Sequence, residues 1–531
     1  MAQFENPVLP GSHPDPSVCR AGSDYYLVTS TFEYFPGLPV YHSRDLVHWR
    51  LLGHVLDRPS QLPLQGVRAS GGLYAPTIRH HDGVFYVVCT LVDGATKSGN
   101  FVVTATDPAG PWSEPTWLPE ADGFDPSLFF GDDGRAWWTA TREVPGGRPG
   151  QTEVWLREFD PVRRELTGAE HVLWTGALRD SVWVEAPHLY EVGGKYVLLC
   201  AEGGTDFEHS VVVATADEVT GPYRGSPLNP VLTHRHLGRD HPIAATGHAD
   251  LVLTQHGQWF AVLLATRPYG GYNYNLGRET FLVPVSWEAG GPVFSPGTGR
   301  VEARYDVPSL PACPWPEVAE TDDFDAPVLD PAWMFLRTPD EVFFSLTDRP
   351  GHLRLRVRPE SVTDLATPSL VVRRQQHRDF HASCELEFDA GPGETAGMVL
   401  LQNDEHHVRL MLGHDREVTL VCRAGGQDEL LARHTVPEGV VRLCFEATGQ
   451  EHSALVAADG GPWVPLGEPF DGRVLSTQAA GGFTGVHLGL LATSAGAPSD
   501  SWADFGSFTY RAVTPGRGRS AAGSAPAWPR R

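Results

Sequence analysis

A chain of 531 residues is too long for one hydrophobic core and points to two or three domains. Its formal charge of −24 excludes nucleic acid and anionic membrane surfaces as partners, because both require a basic face, and it suits a neutral ligand. With 57 Gly and 45 Pro the composition is that of a turn-rich globular protein, and no run of apolar residues is long enough for a membrane span.

The opening residues, Met1 to Asn6, have neither a basic region nor an apolar core. They read as no signal peptide, which predicts a cytoplasmic protein. Five look-alike units follow. In the first, Asp15-Pro16-Ser17 runs through a turn at Gly22-Ser23-Asp24 into the apolar stretch from Tyr25 to Val28. In the second, Ala75-Pro76-Thr77 precedes His81-Asp82-Gly83 and the stretch from Phe85 to Val88. Asp125-Pro126-Ser127 opens the third, with a turn at Asp132-Asp133-Gly134 before Trp137 and Trp138. Glu185-Ala186-Pro187 opens the fourth, with a turn at Gly193-Gly194 before the stretch from Tyr196 to Leu199. Gly247-His248-Ala249-Asp250 opens the fifth, ahead of Gly257 and the stretch from Trp259 to Val262.

The openings at residues 15, 75, 125, 185 and 248 recur about every 50 to 63 residues, a period of propellers and solenoids. Each unit has room for several short strands separated by Gly/Asp turns. An all-β protein is expected, with a five-bladed β-propeller over residues 1–306. A Pro-rich linker follows at 307–321, with Pro308, Pro311, Pro314 and Pro316. Residues 322–512 alternate polar and apolar around Leu353, Cys384, Val408, Val441 and Trp502, the pattern of a β-sandwich of jelly-roll type. The tail at 513–531, rich in Gly, Ser, Ala and Arg, is expected to be disordered. Seven scattered cysteines form neither a zinc motif nor a disulfide framework.

Asp15, Asp125 and Glu185 stand in matched contexts at one phase of the repeat, so a ring of blades would aim three carboxyl groups at one funnel. Glycoside hydrolysis needs one carboxyl to protonate the leaving oxygen and another to activate water or attack carbon. A third raises the pKa of the acid by like-charge repulsion. Asp-Pro is also a common turn former, but a turn does not require the acid to recur at the same phase.

Several motifs carry a resemblance. His13-Pro14-Asp15-Pro16-Ser17, Tyr41-His42-Ser43-Arg44-Asp45, Glu185-Ala186-Pro187-His188, Gly247-His248-Ala249-Asp250 and Gly277-Arg278-Glu279 resemble glycoside hydrolase family 43, and most of all its two-domain β-xylosidases. Arg373-Arg374-Gln375-Gln376-His377 and Ala503-Asp504-Phe505 extend the resemblance through the second domain.

The resemblance implies a propeller followed by a sandwich, and hydrolysis with inversion. Asp15 would be the general base, Asp125 the pKa modulator and Glu185 the general acid, with base and acid about 6.5–9.5 Å apart. Arg278 would bind substrate and the modulating carboxylate, and His248 would contact the substrate site. Phe32 and Tyr74 would stack on the sugar, and Phe483 from the sandwich would narrow the pocket. Relatives of this kind carry Trp at the position of Tyr74, Gly at that of Ala186 and a second Phe beside Phe483.

The expected activity is an exo-acting β-D-xylosidase releasing xylose from the non-reducing end of short xylo-oligosaccharides. An α-L-arabinofuranosidase, or an enzyme with both activities, is the alternative; a non-catalytic carbohydrate-binding propeller would have no need of all three acids. No catalytic cofactor or metal is called for, although Asp322, Asp323 and Asp504 offer oxygens for a structural calcium. The expected partner is a small oligosaccharide, and a homo-oligomer is compatible with the sequence.

Overall fold

The computed structural model describes residues 3–94, 96–178, 181–288, 291–306, 308–458 and 460–513. Most of the expected tail therefore lies outside the described residues. The five units are five antiparallel sheets whose strands follow chain order from the axis outward. Blade 1 is Ser17–Ala21, Asp24–Val28, Gly37–Ser43 and Arg50–Leu56. The innermost strands of the other four are Thr77–His81, Phe124–Phe130, Glu185–Val192 and Ala244–Leu253. Neighbouring blades cover both faces of each sheet, so the second strands are continuous apolar runs: Val84–Val92 is buried at every position but its two ends. Trp138, Trp155 and Phe159 fill the seam between blades 2 and 3 with Tyr86 and Val88.

The ring is fastened where the chain enters it. Leu9 exchanges backbone hydrogen bonds with Thr280 of blade 5, both 3.2 Å. The Asn6 side chain imitates a strand neighbour: its Nδ2 donates to the Leu282 carbonyl and its Oδ1 accepts from the Leu282 amide, each at 2.9 Å. These bonds bring the third strand of blade 5, with Arg278 just ahead of it, against the segment that leads to Asp15.

The linker is pinned to blade 1, with the Cys313 amide donating to Asp45 Oδ2 at 2.8 Å and Trp315 under the Arg50 guanidinium at 4.3 Å. Beyond it, two large antiparallel sheets enclose a second core. Leu353–Arg356, Phe380–Glu387, Val441–Thr448 and Trp502–Ala512 lie in one sheet, His407–Gly413 in the other.

The boundary between the two halves is less clean than the composition shift suggests. Tyr34–Phe35, which belongs to blade 1 in sequence, pairs with Met334–Leu336 and extends the second sandwich sheet by one strand. The pairing covers an edge that would otherwise expose unpaired backbone groups. It also merges the apolar interior of blades 1 and 2 with that of the sandwich, Phe35 meeting Phe335 at 6.4 Å. Arg374 of the sandwich is buried against the propeller, its Nε donating to the Ser12 carbonyl at 2.7 Å. A docked sandwich of this kind can supply a residue to the funnel.

Candidate active site

Three of the five innermost strands begin with the same device. In blades 3, 4 and 5 the ladder to the second strand skips two residues, between Phe124 and Ser127, Glu185 and His188, and Gly247 and Asp250. The first skipped residue is left-handed, with φ of +51° at Asp125, +52° at Ala186 and +50° at His248, and Asp15 matches them at +55°. A bulge of this type re-aims side chains, here toward the axis. Asp tolerates the left-handed region because its short polar chain bonds locally.

This register corrects the equivalence read from the sequence. Ala186, not Glu185, occupies the position of Asp15 and Asp125, because the proline that follows marks the phase: Pro16, Pro126 and Pro187. Glu185 stands one residue earlier, where blade 2 has Tyr74, blade 3 has Phe124 and blade 5 has Gly247. Glycine is needed at 247 because the His209 ring fills that space; a Cβ there would lie 2.4 Å from His209 Cε1. Counting from the prolines would have found the offset.

The three acids still meet. Asp15, Asp125 and Glu185 line one pocket with Phe32, Tyr74, His248, Arg278 and Phe483, so every residue singled out from the sequence borders it. Ala75, the opening of the second unit, completes the lining with Phe124 and Thr205, which carried no signal of their own. The cavity is small, about 70 Å³.

The carboxyl groups differ sharply in environment. Asp15 is buried, and burial alone would raise its pKa. Against that, Arg278 Nη1 donates to Oδ1 at 2.7 Å, His248 Nδ1 lies 3.6 Å away and Ser30 Oγ donates to Oδ2 at 2.6 Å. The result is an Asp15 pKa below the usual carboxylate value. Asp125 has one such donor, the Ala186 amide at 3.2 Å. Burial, with the Asp15 charge adding to it, pushes Asp125 up to about 8. Glu185 opens to the pocket on one side and is crowded by protein on the others. Desolvation first, then the charges of Asp125 and Asp15, raise it well above the ordinary glutamate value. One carboxylate held ionised thus shares a pocket with two carboxyls that hold protons.

Arg278 was expected against the modulating carboxylate, Asp125. Its guanidinium instead pairs with Asp15, while Nη1 also donates to Thr205 Oγ1 at 3.0 Å and Nη2 to the Phe483 carbonyl at 3.3 Å. Ring closure is the reason: the Arg278 carbonyl accepts the His13 amide at 3.0 Å, which seats the arginine beside Asp15.

Phe32, Tyr74 and Phe483 form one aromatic group. Phe483 stacks on Phe32 at 5.8 Å and meets Tyr74 edge-on at 6.0 Å, and Arg278 lies 5.5 Å from both phenylalanine rings. Phe483 is tethered to the propeller through its amide, which donates to Ser70 Oγ at 2.8 Å. Replacing it by Ala is expected to raise KM about tenfold, roughly 1.4 kcal/mol of lost ring contact, with a smaller change in kcat. Steady-state kinetics on an oligosaccharide test this, and an unchanged KM would remove Phe483 from the site.

A second polar layer lies one strand position deeper, and it was given no role in the sequence. Arg79 sits between blades there: Nη1 donates to Asp250 Oδ2 at 2.8 Å and to Ser17 Oγ at 3.2 Å, and Nη2 lies 2.9 Å from His188 Nδ1. Tyr190 Oη donates to Asp250 Oδ1 at 2.6 Å. The layer plugs the funnel below the carboxyls and ties blades 1, 2, 4 and 5 together.

Two of the three acids considered for calcium have other partners. Asp322 accepts from Trp333 Nε1 at 2.8 Å, and Asp504 pairs with Arg354 at 2.6 Å and Arg349 at 2.9 Å. Their strand partners, Phe508 and Arg354, place Asp322 and Asp504 four residues apart along Trp502–Ala512, about 13 Å, so they do not converge as a donor set. Remote from the pocket, His381 Nδ1 lies 3.1 Å from Glu446 Oε1 and 3.5 Å from Cys444 Sγ on the sandwich, where the His–Glu pair accounts for the contact. Among the described residues, no helix is long and apolar enough to cross a membrane.

The family model for glycosyl hydrolases family 43 matches residues 4–293, more than half of the chain. The chain belongs to this family. A second model, the β-xylosidase C-terminal Concanavalin A-like domain, matches residues 321–511. The chain is similar to a xylosidase/arabinosidase of Butyrivibrio fibrisolvens, 43% identical over 97% of this chain and 100% of that one. It is also similar to a non-reducing end α-L-arabinofuranosidase of Bacteroides ovatus, 40% identical over 96% and 95%. Among solved structures, a xylan β-1,4-xylosidase from Bacillus halodurans superposes with a TM-score of 0.90 at 36% identity, covering 96% of this chain and 100% of that one. As a family 43 member, the protein is a glycoside hydrolase with a five-bladed propeller and a Concanavalin A-like sandwich.

Proposed function

We propose that the protein is an inverting exo-glycosidase, a β-D-xylosidase that releases xylose from the non-reducing end of short xylo-oligosaccharides. The observation that carries this reading is the opposite proton affinity of Asp15 and Glu185 on one small pocket. Asp15, ionised, takes a proton from water as the water attacks the anomeric carbon. Glu185, protonated, gives its proton to the glycosidic oxygen as the bond breaks. The two act from opposite faces of the sugar, so configuration inverts. Arg278 holds Asp15 in place and ionised. Phe32, Tyr74 and Phe483 present apolar faces to the C–H surface of the ring. A small pocket narrowed by Phe483 favours a terminal sugar over a bond within a long chain.

The test is turnover of xylobiose, an aryl β-xyloside and an aryl α-arabinofuranoside by the full chain, with proton NMR of the first-formed sugar. α-Xylose appearing first supports the reading; β-xylose appearing first rules out inversion, and no turnover rules out the enzyme. The relatives named for arabinofuranoside cleavage favour a second reading, α-L-arabinofuranosidase or both activities, which predicts faster turnover of the arabinofuranoside. A cytoplasmic address is supported by the cysteines, all seven of which are unpaired, as expected in a reducing compartment.

Asp125 and Glu185 are adjacent buried acids and titrate as a pair. Asp125→Asn removes the charge that Asp125 carries above about pH 8 and that opposes ionisation of Glu185. The Glu185 pKa then falls, and the alkaline limb of the kcat/KM profile moves to lower pH. Little change is expected at pH 7, where Asp125 is protonated and the amide matches it, and the loss grows above about pH 8. An unmoved alkaline limb would separate Asp125 from proton control.

A further inference from the structure

Trp183 has a φ of +55°, a conformation that a bulky side chain holds only when its surroundings impose it. Its amide donates to the Gly150 carbonyl at 2.8 Å. The indole lies between two left-handed glycines: a Cβ on Gly150 would stand 3.3 Å from Trp183 Cε2, and one on Gly204 would stand 3.5 Å from Cδ1. Its ring centre is 6.5 Å from that of Phe124.

Two of these neighbours lead to the pocket. Phe124 lines it and precedes Asp125. Gly204 precedes Thr205, which lines it and receives a hydrogen bond from Arg278. Trp183 itself precedes Glu185 by two residues, with the buried Val184 between. Trp183 is half-buried, so part of the indole stays open to solvent. A partly open aromatic, held in a left-handed conformation two residues before Glu185, has the properties of a ligand platform.

We propose that Trp183, continuing the aromatic surface of Phe124, is the stacking platform for the leaving-group sugar. This rests on the hydrolase reading above. The proton donor must stand beside the glycosidic oxygen, and that oxygen leaves with the second sugar. The sugar therefore emerges on the Glu185 side, over Phe124 and toward Trp183, which stands behind it and outside the pocket lining. The opposite wall, with Asp15, Arg278, Phe32 and Phe483, encloses the terminal ring. The ligand class is a pyranose with an apolar C–H face, and the consequence is selectivity for sugar leaving groups over small alcohols.

The experiment compares two substrates that differ only in the leaving group, xylobiose and methyl β-D-xyloside, on the full chain. Trp183→Gly removes the ring and accepts φ +55° without strain. The expected result is a 10- to 30-fold loss of kcat/KM on xylobiose, less than twofold on the methyl xyloside, and unchanged inhibition by free xylose. Trp183→Phe is expected to recover most of the xylobiose activity. Equal losses on both substrates, or none on xylobiose, would overturn the platform while leaving the enzyme reading intact. A wild type inactive on both substrates would overturn the enzyme reading and the platform with it.

Discussion

Glu185→Gln is expected to lower kcat/KM on xylobiose by about 10³-fold, within the 10²–10⁴ range of general acid catalysis. The amide keeps the shape of the side chain and removes the proton that xylose needs to depart. The loss should shrink with leaving-group ability, because a dinitrophenolate departs without protonation. Aryl xylosides of graded acidity read this directly, and full activity of the variant on xylobiose would falsify the acid assignment.

The same variant carries a stability signature. An acid whose folded pKa lies above its unfolded value costs the fold stability once the pH exceeds the unfolded pKa, because only the unfolded chain then releases its proton freely. Glu185 is such a group. The glutamine variant should therefore melt a few degrees higher at pH 7 and show little difference near pH 4, which calorimetry at both pH values measures.

Asp15→Asn is expected to cost about 10⁴-fold in kcat on every substrate, whatever the leaving group, because water loses its proton acceptor. Azide needs no deprotonation and should restore part of the turnover, giving the glycosyl azide of inverted configuration. A loss below tenfold would remove Asp15 from the base role. Stability moves opposite to that of the Glu185 variant. The Asp15 pKa is depressed, so its charge stabilises the fold above the unfolded pKa of an aspartate, and that contribution fades as the pH falls through the folded pKa. Its removal also leaves the buried Arg278 guanidinium unpaired, the costlier half of a broken buried ion pair. A lower melting temperature at pH 7 is the expected outcome.

The propeller was legible because each blade repeats a local grammar: an axial residue, a proline, a short strand, a Gly/Asp turn and an apolar strand. The pocket residues were legible because they sit at fixed places in that grammar or in motifs shared with the family. The position of Glu185 was misread by one residue, since an acid near a proline looks alike whether it is the bulged residue or the one before. Tyr34–Phe35 reads as part of blade 1 and pairs with Met334–Leu336, a partner some 300 residues away that no local pattern names. Trp183 gave no signal because neither its left-handed backbone nor the glycines around its ring can be read from composition.

Asp15-Pro16-Ser17 and Asp125-Pro126-Ser127 are the same tripeptide with nearly the same backbone, φ +55° and +51°. The sequence by itself determined that two identical acids, with Glu185, would point into one funnel. Which of them keeps its charge was decided only by tertiary structure. Ring closure brings Arg278 and His248 to Asp15, where Ser30 of the same blade already donates, and leaves Asp125 with a single amide, so burial wins at one aspartate and electrostatic partners win at the other. A pKa is set by what other segments place within a few ångströms, and neither the residue nor its chain neighbours carry that information.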